Sequence, residues 1–497
     1  MFHKILIANR GEIAVRIIRT CREMGIPALA VYSEVDRGSL HIQLADEMAL
    51  LGPPSPLDSY LNIERIIEIA QERGADAVHP GYGFLAENPA FAKRCEDEGI
   101  TFIGPSSGAI ELLGNKIASR KVMTEAGIPC TPGFEIVGMP ISEIADKAHN
   151  IGYPVLIKAA AGGGGKGMRI VHHSKDLERS IEAARRESKS AFADDTVYLE
   201  KYLEKPRHIE FQILADHQGN IIHLNERECS IQRRHQKVVE ETPSTAITPE
   251  IRAEMGQTAI EVVKASGYTN AGTVEFLYAG GGQYYFLEVN TRLQVEHPVT
   301  EETVGVDLVA EQIHIAAGHN LRLRQEDISQ RGHAIECRIY AEDPANNFLP
   351  SSGRISFMKE PAGPGVRHDC GVYSGWEVPV HYDPILSKLI VWGPDRESSR
   401  KRMIKALENF VILGVSTTIE FLAKVLQHPD FIKGETYTDF IDKNFPGGKI
   451  PDSAKYMDLA LIAAAITENS RTIGYAPGVE FAAAYDPWKS VGNWEIR

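Results

Sequence analysis

The stretch Gly272-Thr-Val-Glu-Phe-Leu-Tyr-Ala-Gly-Gly-Gly-Gln-Tyr-Tyr-Phe-Leu-Glu-Val-Asn-Thr-Arg-Leu-Gln-Val-Glu-His-Pro298 alternates apolar and polar residues on either side of Gly280, Gly281 and Gly282. Alternation with period two, interrupted by glycines, predicts a β-hairpin. With the turn centred between Gly281 and Gly282, Val274 faces Val289, Phe276 faces Leu287 and Tyr278 faces Tyr285, an apolar side. The other side then pairs Thr273 with Asn290 and Glu275 with Glu288. Two carboxylates opposed in a ladder repel each other, and a divalent cation between them reverses the sign. Oxygen ligands alone favour Mg²⁺ or Mn²⁺, usually with a nucleotide phosphate. The bland alternative is a solvated strand face. Against it, the polar face runs on through Asn290, Arg292, Gln294, Glu296 and His297, more hydrogen-bonding groups than an idle strand end needs.

A chain of 497 residues is long enough for two to four domains with substantial cores. Hydrophobic residues at 43% and charged residues at 24% place it among soluble globular proteins. A formal charge of −14 argues against nucleic acid or an anionic membrane as the main partner, but not against an anionic substrate in a local basic pocket. Cys21, Cys95, Cys130, Cys229, Cys337 and Cys370 form no C-x-x-C pair and read as reduced thiols of a cytoplasmic protein. The N-terminus enters a strand directly, and no apolar run is long enough to span a bilayer.

Outward from the hairpin, residues 4–8, 13–21 and 28–32 read as a βαβ opening. Only Gly11 stands where a dinucleotide fingerprint needs three glycines, so an NAD site is rejected. His79–Asn88 is turn-rich and follows a strand, where ligand loops of open α/β sheets lie, although plain turn chemistry accounts for it equally. Tyr153–Lys158 is a strand ending in lysine, and Gly162–Gly167 follows it. Gly165-Lys166 is followed by Gly167 and a strand, so this is no P-loop. A glycine hairpin can still offer backbone N–H groups to a phosphate, and its ordering entropy makes it a mobile lid when empty. Lys116 alone reads as a solvated lysine, Arg227–Glu241 as a charge run on a solvated face near something anionic, and Arg338 as a paired surface arginine. A single helix is expected over 301–317, and a strand over Ile355–Met358.

Together, Ala8-Asn-Arg-Gly-Glu-Ile-Ala14, His79-Pro-Gly-Tyr-Gly-Phe-Leu85, Gly162–Gly167, Gln232-Arg-Arg-His-Gln-Lys237 and Glu288-Val-Asn-Thr-Arg-Leu-Gln-Val-Glu-His-Pro-Val-Thr300 resemble biotin carboxylases of the ATP-grasp superfamily, over roughly residues 1–445. The resemblance implies an α/β and α+β chain. Its parts are an N-terminal Rossmann-like pre-ATP-grasp domain at 1–114, and an ATP-grasp domain at 115–330 with a mobile glycine-rich lid at about 131–203. A mostly antiparallel C-terminal domain at 331–445 and a helical tail or linker at 446–497 complete it. It implies ATP on Lys116, Lys158, Gly164, Gly165, Glu200, Lys201, Tyr202, Leu203, His208, Gln232 and His235, with Glu275 and Glu288. Glu275, Glu288 and Asn290 match the Mg²⁺ or Mn²⁺ ligands, and Lys237, Arg292, Gln294, Val295 and Glu296 the bicarbonate site. Glu296 matches the base that deprotonates bicarbonate for attack on the γ-phosphorus. Tyr82 and Arg338 match the biotin site, Arg338 stabilising the biotin enolate; Arg292, Glu296, Arg338 and Lys237 are the implied catalytic set. The implied reaction forms carboxyphosphate and then carboxybiotin on a biotin carboxyl carrier protein or domain, with a carboxyltransferase as partner and a homodimer as the assembly.

In two places the sequence departs from the family pattern. The Gly-Gly-Gly turn is longer than in many relatives, and the tail after about 445 resembles the linker of longer acyl-CoA or pyruvate carboxylases. No Met-Lys-Met biotinylation motif occurs, so biotin is expected on another domain or another chain. Two other readings compete: a different ATP-grasp ligase acting through an acyl phosphate on another carboxylate, and a silent nucleotide-binding protein that kept the fold.

Overall fold

Ile5, Leu6 and Ile7 of β1 (Ile5–Ile7) are all buried because the sheet they belong to is covered on both faces. Ile5 and Ile7 pack with Ile13, Ile17 and Ile18 of the helix Gly11–Glu23, whereas Leu6 and Ala8 pack with Ile66, Ile67 and Phe91. β2 (Ala28–Ser33), β3 (Glu47–Gly52), β4 (Ala77–His79) and β5 (Thr101–Phe102) join β1 in a parallel sheet of order β3-β2-β1-β4-β5. The computed structural model describes residues 1–159, 168–192 and 194–448, together with residue 462. The expected glycine hairpin Gly162–Gly167, with Gly164 and Gly165, and the expected tail helix Ser453–Thr467 apart from residue 462 lie outside the described residues.

A second, antiparallel sheet of order β6-β9-β7-β8 consists of β6 (Gly133–Glu135), β7 (Val155–Ala159), β8 (Arg169–Val171) and β9 (Val197–Lys201). It has its own core of Ile144, Val155, Ile157, Leu177, Ile181 and Leu199.

The third sheet carries the chemistry. It contains β10 (Arg207–Ala215), β11 (Ile221–Arg233), β12 (Gln236–Thr242), β13 (Asn270–Gly280), β14 (Gln283–Asn290), β15 (His333–Tyr340), β16 (Val366–Cys370) and β17 (Ile385–Gly393). All pairs are antiparallel, in the order β14-β13-β10-β11-β12-β15-β17-β16, so one sheet runs unbroken across chain position 330. Side-chain alternation splits its faces. Ile209, Phe211, Ile213, Val274 and Phe276 pack on Met255, Ala259 and Val262 of the helix Pro249–Ser266, which leaves His208, Glu210, Gln212, Thr273 and Glu275 on the opposite face.

The hairpin β13–β14 turns at Gly281 and Gly282, both at positive φ (60° and 81°), as a tight two-residue hairpin turn requires. Thr273 opposes Asn290, Val274 opposes Val289 and Glu275 opposes Glu288, the expected inner register. The outer pairs differ from expectation. Phe276 opposes Phe286 and Tyr278 opposes Tyr284, because an irregularity between Glu275 and Phe276 shifts the ladder by one. That shift buries Phe286 and Tyr284 beside Phe276 and leaves Leu287 and Tyr285 half-buried.

Three further expectations change. The helix expected over 301–317 is two helices, His297–Val304 and Leu308–Ala316, broken where Gly305 adopts φ 74° and Asp307 caps the second through Ala310 N. Of the strand expected over Ile355–Met358 only Phe357 and Met358 are strand, within Phe357–Lys359, and a separate short strand Gly353–Arg354 precedes it. Arg227–Glu241 is no solvated face; it forms the inner hairpin β11–β12, with Glu226, Arg227 and Glu240 fully buried. All six cysteines are free, and among the described residues no helix is long and apolar enough to cross a membrane.

Candidate active site

Four strands set one polar row across the sheet: Glu288 on β14 opposes Glu275 on β13, which opposes Glu210 on β10, which opposes Arg227 on β11. Three adjacent carboxylates are tolerable in a buried ladder only with cations among them. Lys237 Nζ supplies one, donating to Glu210 Oε2 at 2.5 Å, Glu275 Oε1 at 2.7 Å and Glu296 Oε1 at 2.6 Å. Arg227, fully buried, supplies the other. Its Nε donates to Glu210 Oε1 at 2.6 Å, Nη1 to Gln212 and Thr300 at 2.9 and 3.0 Å, and Nη2 to Thr273 and Gln294 at 3.1 and 2.8 Å. All five guanidinium N–H donors are thus used. Gln294 is oriented as a result: its oxygen takes Arg227 while its Nε2 donates to Glu275 Oε1 at 2.7 Å.

Glu296 immediately precedes the helix His297–Val304 at the end of the hairpin's outgoing segment, and its side chain makes no capping hydrogen bond. Its second oxygen accepts from Arg338 Nη2 at 2.8 Å, and Arg338 Nε donates to Glu240 Oε1 at 2.6 Å. Burial pushes the Glu296 carboxyl up, but Lys237, Arg338 and Arg227 outweigh it and hold the group well below the usual carboxylate range. Glu275 is likewise held low, burial being overcome by Lys237 and then His208, whose Nε2 lies 2.8 Å from Glu275 Oε2. Both acids are anions at any working pH. Arg338 is therefore no surface arginine: it is buried and bound to two carboxylates.

Arg292 ties this group to a loop. Its Nε donates to Glu87 Oε2 at 2.9 Å and its Nη2 to Asn290 Oδ1 at 3.1 Å, while Thr291 N donates to Glu87 Oε1 at 3.2 Å. Glu87 brings the turn-rich loop 79–88 to the hairpin. Asn9 Nδ2 holds that loop through the carbonyls of Pro80 and Tyr82, both at 2.8 Å. Gly81 permits this close approach, since a Cβ there would lie 2.9 Å from Asn9 Nδ2.

The remaining expected residues line a second margin. Lys116, at the start of the helix Lys116–Glu125, has Nζ 3.4 Å from Glu288 Oε2. Lys158, at the β7 end, pairs with Glu200 of β9, which also lies 3.6 Å from Arg120. Lys201 turns its ammonium to the carbonyls of Gly152 and Tyr153 at 2.9 and 3.3 Å. Tyr202 N donates to Pro154 O at 3.1 Å, and Leu203 is half-buried. Gln232 Nε2 lies 3.4 Å from His208 Nδ1. His235 sits in the β11–β12 turn, its imidazole pushed down by burial and by Lys158. Val295 O accepts from the buried Lys388 Nζ at 2.9 Å, and that ammonium lies 5.8 Å from the Tyr82 ring centre.

Three family models match the chain: Biotin carboxylase, N-terminal domain, over residues 1–110; Carbamoyl-phosphate synthase L chain, ATP binding domain, over 115–324; and Biotin carboxylase C-terminal domain over 336–443. Among curated proteins it is 53% identical to biotin carboxylase of Nostoc sp., covering 89% of this chain and 99% of that one. It is 55% identical to a pyruvate carboxylase subunit of Methanothermobacter thermautotrophicus, covering 89% and 90%. The chain belongs to the biotin carboxylase family. A solved biotin carboxylase domain dimer of Hydrogenobacter thermophilus 2-oxoglutarate carboxylase, in complex with MgADP, ADP and bicarbonate, superposes with a TM-score of 0.87. It is 49% identical, covering 91% of this chain and all of that one (100%). The fold is accordingly that of biotin carboxylase ATP-grasp proteins.

The hairpin donors fit a biotin carboxylase's Mg²⁺ or Mn²⁺. Glu275 and Glu288 are directly opposed, Asn290 completes an oxygen set, and the half-exposed Glu288 is only loosely neutralised by Lys116. Among the described residues, the two tightest acidic clusters, His208–Glu210–Glu275 and Glu210–Cys229–Glu296, share the Lys237 ammonium. Glu275 is common to the first cluster and the hairpin pair, and a metal there would take the place of the Lys237, Asn290, Gln294 or His208 donors that its oxygens now accept; burial pushes the Cys229 thiol far up, making it a poor ligand. Glu210, Arg227, Glu240 and Glu87 are the site residues that motif reading missed. Only Glu210 carried a signal, a carboxylate on the polar parity of an alternating strand.

Proposed function

We propose that this chain catalyses the ATP- and bicarbonate-dependent carboxylation of biotin borne on a carrier protein or domain, giving ADP, phosphate and carboxybiotin. One observation carries the reading: a single buried carboxylate, Glu296, held between Lys237 and Arg338 beside an opposed Glu275–Glu288 pair. The pair stands where a metal-bound nucleotide needs oxygen ligands, and the clamp where a small anion needs a base and cations.

Lys116 and Lys158 hold nucleotide phosphate, with Gly164 and Gly165 of the glycine segment, while Glu200, Lys201, Tyr202, Leu203, His208, Gln232 and His235 surround the rest of the nucleotide. Glu275, Glu288 and Asn290 would hold Mg²⁺ or Mn²⁺, which supplies charge neutralisation at the transferring phosphoryl oxygens. Bicarbonate lies among Lys237, Arg292, Gln294 and Val295. Glu296 takes its proton, and the bicarbonate oxygen attacks the γ-phosphorus with ADP leaving, which forms carboxyphosphate. Carboxyphosphate gives CO₂ and phosphate; the phosphate takes the ureido proton of biotin, and the resulting nitrogen adds to CO₂. Arg338 stabilises the enolate, and Tyr82 completes the biotin site. Lys237 and Arg338 move their donors from Glu296 onto these anions, so positive charge meets negative charge where it develops, without importing water. A carboxyltransferase partner and a homodimeric assembly complete the proposal, supported by the pyruvate carboxylase component and the dimeric domain among its relatives.

The expected result is that free biotin raises the rate of ADP release from ATP and bicarbonate. A rate indifferent to biotin, with bicarbonate still required, points instead to another ATP-grasp ligase.

A further inference from the structure

Behind Arg338 lies a group the mechanism does not use. Glu336 on β15 directly opposes Glu240 on β12, and both side chains are fully buried (0% exposed). Glu240 spends one oxygen on Arg338 Nε; its other oxygen and both oxygens of Glu336 have no hydrogen-bond partner. The groups facing Glu336 are Glu240 from β12, Arg338 from its own strand, and Lys388 from β17 with Asp369 of β16 3.9 Å from its ammonium. Glu296 and His297 come from the start of the helix His297–Val304, and Glu12, 3.4 Å from Lys388, from the helix Gly11–Glu23. Lys388 is committed to Val295 O, Glu12 and Asp369, and Arg338 to Glu240 and Glu296. Among the described residues, no cation remains for a second ionised carboxylate in this ladder. Two opposed, unpartnered carboxylates here would bear both repulsion and full desolvation, whereas one bound proton removes both.

We propose that Glu336 is a positioning residue for Arg338: it stands behind the guanidinium as a neutral acid, so that Arg338 keeps one carboxylate at its back and directs its remaining donors forward to Glu296 and the biotin enolate. This rests on the assignment of Arg338 to biotin. In support, burial pushes the Glu336 carboxyl well above the usual range against the pull of Lys388, and burial carries Glu240 to about 7 against that of Arg338. His297 is held neutral by burial and the nearby cations, so it contributes no compensating charge. An ionised Glu336 would give Arg338 a second anion on the wrong side, weakening its hold on the enolate and leaving bicarbonate chemistry untouched.

Infrared difference spectra between the wild type and Glu336→Gln at pH 7.5 test the protonation state without reference to activity. A carboxylic-acid carbonyl band that shifts in D₂O and is missing from the variant is expected; superimposable spectra overturn the proposal. In kinetics, Glu336→Gln should stay within about twofold of wild type in biotin carboxylation near neutral pH and keep its rate further into alkaline pH, while Glu336→Ala loses about tenfold in that step alone. A loss of tenfold or more in Glu336→Gln, or equal losses in biotin carboxylation and in bicarbonate-dependent ATP cleavage without biotin for Glu336→Ala, overturns it. A wild type that carboxylates no biotin defeats the functional reading instead, and the infrared band still decides the state of Glu336.

Discussion

Glu296→Gln is expected to lower bicarbonate-dependent ATP cleavage by about 10²- to 10⁴-fold, the range a positioned general base contributes. The substitution is nearly isosteric. Lys237 retains Glu210 and Glu275, and Arg338 retains Glu240, so neither cation is left bare and the pocket should stay folded. ATP binding should be nearly unchanged, because the proposed nucleotide site at Lys116, Lys158 and Glu288 makes no contact with Glu296. The low proton affinity of Glu296 does not disqualify it as a base. That affinity is held down by Lys237 and Arg338, and on the proposed mechanism it would rise as these donors turn to the substrate anion, coupling proton removal to substrate capture. Measured turnover within a few-fold of wild type would take the role of base away from Glu296.

Arg227→Met should be the most damaging substitution for stability. Replacing a guanidinium that satisfies five acceptors strands Glu210 with Lys237 as its remaining close cation and leaves Gln212, Thr273, Thr300 and Gln294 each short of a donor. Breaking a buried ion pair from one side costs about 3–5 kcal/mol. Urea unfolding followed by intrinsic fluorescence should show a clear fall in midpoint, and Arg227→Lys should not restore it, since an ammonium cannot span acceptors arranged for a planar fork. An unchanged midpoint would mean that the row Glu288–Glu275–Glu210 is neutralised without Arg227. Any folded remainder should also turn over slowly, because Gln294 loses the contact that sets its amide.

The inner half of the hairpin was legible because alternation and the turn determine parity, and Glu275 does oppose Glu288. The outer half was not. Tyr284-Tyr285-Phe286-Leu287 is a run of four apolar residues, so either parity satisfies the pattern, and the choice is made by tertiary contacts. Phe286 N donates to Pro129 O at 2.7 Å, and the Tyr284 ring stands edge-on to Phe276. Arg227–Glu241 misled for the opposite reason. Its buried charges Arg227, Glu228, Glu240 and Glu241 pair with Glu210, Arg207, Arg338 and Arg396 on other elements, so they carry no apolar alternation to betray burial. Glu87 was hidden because its partner, Arg292, lies 205 residues away on another loop. Gly305 breaks what periodicity alone reads as one helix, since an amphipathic pattern can resume in phase after an αL residue. The family resemblance located Arg338 and Glu296, but the clamp they form with Lys237 and Glu240 belongs to the fold.

Transfer of label from bicarbonate to biotin is the most direct measurement of the central claim. With ¹⁴C-bicarbonate, ATP, Mg²⁺ and free biotin, acid-labile label should accumulate on biotin in step with the biotin-stimulated ADP and should be absent without ATP. ADP formed at the biotin-stimulated rate with no label on biotin would contradict it.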